Sequence, residues 1–74
     1  MKIMPEFKHK KLMSAQLKSR REKKGVSQEI AYKESNVNFA RLETGRSSPT
    51  PYTLYRACKY LGTSEEELYS RLYK

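Results

Sequence analysis

Apolar residues recur along the chain at spacings of three and four, which is the period of an amphipathic helix. Met13 and Leu17 form such a pair in the first third of the chain. A longer set with this spacing occurs in the last third: Leu54, Ala57, Cys58 and Leu61. No segment of the sequence alternates with a period of two, so the pattern predicts an all-α fold.

Proline, glycine and capping residues divide this pattern into five short helices. Pro5 suits the first turn of a helix that Gly25 ends after Lys24. Ser27 is placed to cap a second helix, whose apolar side we expect at residues 30–32. The two asparagines within residues 36–38 indicate a tight turn after it.

The second half of the chain carries clear start and stop signals for helices. The segment from Phe39 to Thr44 is predicted as a short third helix, and Gly45 ends it. Thr50 followed by proline marks the start of the fourth helix. Ser64 and Glu67 have the spacing of a capping box, which begins the fifth helix.

The positive charge of the chain is concentrated at its amino-terminal end. The 74 residues include sixteen Lys and Arg against eight Asp and Glu, a net charge of +8. Residues 1–25 carry nine basic and two acidic residues, a net +7, whereas residues 26–74 carry seven and six, a net +1. This asymmetry favours an anionic polymer as partner, most often nucleic acid. The alternative is a solvated basic helix that keeps the protein soluble.

Composition excludes several other classes of protein. Cys58 is the only cysteine, so no disulfide framework forms within the chain. No apolar run reaches the roughly 20 residues of a membrane span. With one histidine and no aspartate, the sequence offers no catalytic set and no metal site. We therefore expect a binding protein without enzymatic activity or cofactor.

Five short motifs follow one another between residues 12 and 70: GVSQ at 25–28, NVN at 36–38, RLETG at 41–45, SP at 48–49 and LGTSEEEL at 61–68. Together they resemble the Xre family, the lambda-repressor and Cro-like helix-turn-helix domains. The resemblance implies a compact five-helix domain whose third helix enters the major groove of DNA. It divides the chain into a domain at residues 12–74 and a basic segment at residues 1–11. That segment is a DNA-binding arm or the start of helix one.

The resemblance also implies which residues meet DNA: Gln28, Arg41, Arg46, Ser47, Ser48 and Thr50, the last through the backbone N–H groups at the start of helix four. Asn38 and Arg41 are the candidates for base contact, because Asn pairs well with adenine and Arg with guanine. The alternatives are an N-cap role for Asn38 and a phosphate or glutamate partner for Arg41. Arg21 and Glu43 match a family pair that bridges helix one to the end of helix three.

The helix-turn-helix unit departs from the family pattern in its length. The span from Gln28 to Gly45 is shorter than usual by about three residues. Either the residues are missing from the start of helix three, where relatives carry base-reading side chains, or Ile30 and Ala31 occupy the usual Leu-Ala pair and helix two is the shorter one.

Five of the six tyrosines lie in the last third of the chain. The last helix carries an apolar and aromatic face made by Leu68, Tyr69, Leu72 and Tyr73. Such a face fits a homodimer interface, and closure of the monomer core is the alternative.

The sequence therefore predicts a cytoplasmic, nucleoid-associated regulator from a prokaryote or phage. It would bind double-stranded DNA at an operator as a dimer, with no role for a membrane. The alternative is a protein-binding module, similar to an antirepressor or antitoxin, that has weakened base reading and binds a regulatory protein.

Overall fold

The computed structural model describes residues 6–46 and 48–72, and their backbone forms five α-helices. These are α1 Glu6–Lys24, α2 Gln28–Ser35, α3 Phe39–Leu42, α4 Pro51–Leu61 and α5 Glu65–Leu72. The all-α, five-helix prediction is confirmed. Residues 6–11 belong to α1, whereas Pro5, expected in its first turn, lies outside the described residues.

The starts of α2 and α4 lie where the capping residues predicted them. The Ser27 hydroxyl accepts a hydrogen bond from the Ile30 backbone N–H at 3.1 Å, and Thr50 accepts one from Thr53 N–H at 3.2 Å. Asn36 ends α2 in a left-handed conformation, with φ of 60°. Asparagine tolerates this conformation because its short polar side chain can bond locally. The turn at residues 36–38 is thus set by local chemistry.

Side chains at the start of α5 form hydrogen bonds with each other and with α1. The Glu67 backbone N–H donates to the Ser64 hydroxyl at 3.1 Å, which is the capping bond that the sequence predicted. The Glu67 carboxylate accepts from the Thr63 hydroxyl at 2.9 Å and from the Arg20 guanidinium at 3.3 Å. The Thr63 bond, and then Arg20, lower the pKa of Glu67. The capping box therefore also holds two helices together.

Among the residues whose side chains the structure describes, ten buried apolar residues from all five helices and the α2–α3 turn form the core: Met13, Leu17, Ala31, Val37, Phe39, Leu42, Leu54, Ala57, Cys58 and Leu68. Phe39, Leu17 and Leu68 are the largest fully buried side chains. Burial raises the pKa of the Cys58 thiol, which fits a packing role. The core thus fixes both ends of α3 through Phe39 and Leu42.

Two expectations about apolar faces are wrong. In α2 only Ala31 is buried, while Ile30 and Tyr32 are about half exposed, at 47% and 51%. Successive helical residues point about 100° apart, so three in a row cannot all face the core. Leu68 is fully buried in the monomer, so it belongs to the core and not to a dimer interface.

The described helices include none with the length and apolar character that a bilayer crossing needs.

Candidate nucleic-acid interface

The helix-turn-helix unit consists of α2, the turn at residues 36–38 and α3. Helix α2 has eight residues, whereas α3 has only four, about 6 Å of helix. The helix ends at Leu42, and Glu43 and Thr44 form a turn, so the prediction of helix up to Thr44 is wrong. Helix α3 is therefore half the length of α2.

Helix α3 buries one side and exposes the other. Phe39 and Leu42 pack into the core, while Ala40 and Arg41 are exposed. Asn38 precedes the helix, and its side-chain oxygen accepts a hydrogen bond from the Arg41 N–H at 3.1 Å. Asn38 therefore acts as the N-cap, and its amide nitrogen points a donor away from that bond.

The end of α3 is tied to α1 by a buried ion pair. The Glu43 carboxylate accepts two hydrogen bonds from Arg21, from Nε at 2.7 Å and from Nη2 at 3.0 Å. The two side chains are 4% and 9% exposed, respectively. The hydrogen bond to Glu43 raises the pKa of Arg21 despite the burial. Arg21 Nη1 also donates to the Val26 carbonyl at 2.8 Å.

Gln28 joins the same network. Its amide nitrogen donates to Glu43 Oε1 at 2.9 Å, so one of its two amide protons is occupied within the protein. A second link lies about two turns earlier in α1, where the buried Ser14 hydroxyl is 2.8 Å from the Leu42 carbonyl oxygen. These bonds fix the position of α3 against α1.

A cleft of about 330 Å³ opens between the α2–α3 turn and the start of α4. Four of the residues predicted to contact DNA line it: Asn38, Arg41, Ser48 and Thr50. They come from the turn, α3 and the loop before α4, so the fold brings separate parts of the sequence to one surface.

The other predicted contact residues lie elsewhere. Arg46 is exposed on the loop after α3, and its backbone N–H donates to the Thr44 hydroxyl at 3.3 Å. Gln28 lies in the ion-pair network described above. Ser47 falls outside the described residues.

Tyr52 and Arg56 are among the cleft residues that the sequence analysis did not predict to contact DNA. The Arg56 guanidinium lies 5.6 Å from the centre of the Tyr52 ring, and its Nη2 donates to the Ser35 carbonyl at 2.6 Å. Their spacing of four residues, just after the start of α4, is the signal that could have indicated a shared position on the helix.

Within the described residues, no group of three or more His, Cys, Asp or Glu side chains is arranged to hold a metal ion.

A comparison with known protein families identifies the type of domain. Residues 12–69 match the family model of a helix-turn-helix domain. The chain belongs to that helix-turn-helix domain family. No curated protein and no solved structure matches the chain. Membership of a helix-turn-helix family indicates that the protein binds DNA.

The buried ion pair of this helix-turn-helix domain generates a stability prediction. We expect Glu43→Gln to lower the free energy of unfolding by about 3 kcal/mol, because it leaves the Arg21 charge buried without its partner. Urea denaturation followed by far-ultraviolet circular dichroism measures the change.

The matched control is Glu66→Gln, since Glu66 is an exposed glutamate at the start of α5. This change should stay within about 0.5 kcal/mol of the parent. Equal stability of the two variants would show that the ion pair does not hold α3 in place.

Proposed function

We propose that the protein is a transcriptional regulator of the Xre/Cro-like type, which acts by occupying an operator. The observation that supports this function best is the convergence of Asn38, Arg41, Ser48 and Thr50 on one cleft. Amide, guanidinium and hydroxyl groups are the donors that proteins use on phosphates and base edges. Such a regulator works in the cytoplasm of a prokaryote, at the nucleoid or on phage DNA.

The proposed contacts divide into phosphate binding and base reading. Ser48 and Thr50 line the cleft, and Arg46 is exposed on the loop between α3 and α4. The hydroxyl groups of the first two and the guanidinium of Arg46 can donate hydrogen bonds to phosphate oxygens. Ser47 belongs to this proposed set by its place in the sequence alone. Gln28 reaches a phosphate with its second amide proton, while the first holds Glu43. These contacts set the register of the domain on the duplex.

Base reading is proposed for two polar side chains, Arg41 of the short helix and its N-cap Asn38. Arg41 is exposed on α3, and the Asn38 amide nitrogen remains a donor after its oxygen has capped the helix. A single turn of helix supplies few such groups, so each of them contributes a large share of the sequence preference.

We also propose that the regulator acts as a homodimer through α5. Tyr69 is 39% exposed on this helix and stacks on His9 of α1, with 5.9 Å between the ring centres. Tyrosine is enriched at protein interfaces because its ring is apolar and its hydroxyl can bond. Leu68 is excluded by its burial, and the side chains of Leu72 and Tyr73 lie outside the described residues.

A second function is favoured by the length of α3. Four residues make barely one turn, which reduces the surface available for base reading. The rival proposal is a protein-binding module, similar to an antirepressor or antitoxin, that keeps the fold and binds a regulatory protein. It predicts DNA binding without sequence preference.

The regulator proposal predicts enrichment of one motif when bound duplexes are selected from a randomised DNA pool. The Asn38→Ala/Arg41→Ala double variant should still bind DNA but lose the motif, because phosphate contacts carry no sequence information. A salt titration of the selected duplexes should show a slope that reflects several phosphate contacts.

A steep salt dependence without any enriched motif would contradict the regulator proposal and support the protein-binding module. Enrichment that the double variant retains would instead show that α3 is not the reading element.

The dimer proposal predicts twice the monomer mass in sedimentation equilibrium at micromolar concentration. Tyr69→Lys should shift the equilibrium towards monomer, because it places a charge in the contact. Tyr32→Lys, on a half-exposed tyrosine of α2, is the matched control and should leave the mass unchanged. A parent protein that is monomeric throughout the range would overturn the dimer.

A further inference from the structure

The cleft beside α3 carries a distinct electrostatic environment. Arg41 and Arg56 line it, and no carboxylate does so among the described residues. Its remaining polar side chains are amides and hydroxyls, including those of Thr50, Tyr52 and Thr53. A cleft that offers two cations and several donors, without an opposing negative charge, suits a phosphodiester group.

Arg56 is held at the wall of this cleft. Its bond to the Ser35 carbonyl occupies one of the five N–H donors of the guanidinium and ties α4 to the end of α2. The Tyr52 ring lies 5.6 Å away, and Tyr52 itself is 67% exposed. The guanidinium group is thus held by one hydrogen bond and one aromatic contact, and four of its N–H donors are not used by the bond to Ser35.

The next turn of α4 carries a second tyrosine–cation pair, but this pair has different neighbours. Tyr55 and Lys59 form a second aromatic–cation pair, also 5.6 Å apart, but they line two other grooves. One of these grooves contains Glu34 and the other Glu65. Arg56 also borders the groove that contains Glu34, but together with Tyr52 it lines the cleft in which no described carboxylate lies, whereas Tyr55 and Lys59 do not line that cleft. A carboxylate repels phosphate, so the cleft is the better site for an anion.

We propose that Arg56, oriented by Tyr52, binds a DNA phosphate in this cleft, so that α4 adds a backbone contact beside the four-residue α3. This inference rests on the proposed function to the extent that duplex DNA is the partner. It goes beyond that function because it assigns a DNA contact to α4 residues that none of the sequence motifs contains.

The helix supplies both the test variants and their controls. Arg56→Ala and Lys59→Ala each remove one positive charge from α4, but only Arg56 lines the cleft. We expect Arg56→Ala to weaken binding of a labelled mixed-sequence duplex by about tenfold near 0.1 M salt and to make the salt slope shallower by about 1. For Lys59→Ala we expect less than about a threefold change and the parent slope.

Arg56→Ala also removes the hydrogen bond to Ser35 and could therefore reduce folding stability. Substitutions of Tyr52 and Tyr55 provide a second test that leaves this bond in place. Tyr52→Ala, at an exposed position, should weaken binding about threefold through loss of the cation–π contact that orients Arg56. Tyr55→Ala should bind as the parent does. Circular dichroism of each variant at the binding temperature confirms that the folded state is being compared.

The binding results distinguish a failure of the Arg56 contact from a failure of the proposed function. Phosphate contacts do not depend on sequence, so the mixed-sequence duplex tests the cleft even if no operator is selected. Equal losses in Arg56→Ala and Lys59→Ala, or in Tyr52→Ala and Tyr55→Ala, would overturn the cleft site alone. A parent protein that binds no duplex near 0.1 M salt would overturn both proposals.

Discussion

The buried ion pair between Arg21 and Glu43 is the constraint on which the proposed interface depends. Burial of two charges costs several kcal/mol, and this cost is offset only when the groups are fully hydrogen-bonded. Here the Val26 carbonyl and the Gln28 amide complete the network. The network joins the end of α1, the start of α2 and the end of α3, so it fixes the exposed side of α3 relative to the scaffold.

The short α3 depends on this support more than a longer helix would. A helix of four residues has little stability of its own, because ordering the backbone of the first turn costs more free energy than its hydrogen bonds contribute. Phe39 and Leu42 in the core, with Glu43 just beyond the helix, hold both ends of its single turn to the remainder of the domain. The cleft beside α3 is bounded on its other side by α4, which contributes Arg56 to it.

Local chemistry made much of the fold predictable. Ser27, Thr50 and Ser64 each cap a helix where the sequence placed the cap, because capping depends on neighbours in the chain. The burial of Leu68 and the exposure of Ile30 were not predictable, since they depend on how α5 and α2 pack. The position of Arg56 also required the fold, because its partner at Ser35 is 21 residues away.

The most direct test of the central claim is an amide chemical-shift map of the isotopically labelled protein titrated with duplex DNA. The claim is that the cleft between α3 and α4 is the surface that faces DNA. It predicts the largest shifts at Asn38, Arg41, Ser48 and Tyr52, with little change at Lys18 on the outer side of α1. Shifts concentrated along α1, with the cleft unchanged, would contradict it and would assign DNA binding to the basic helix.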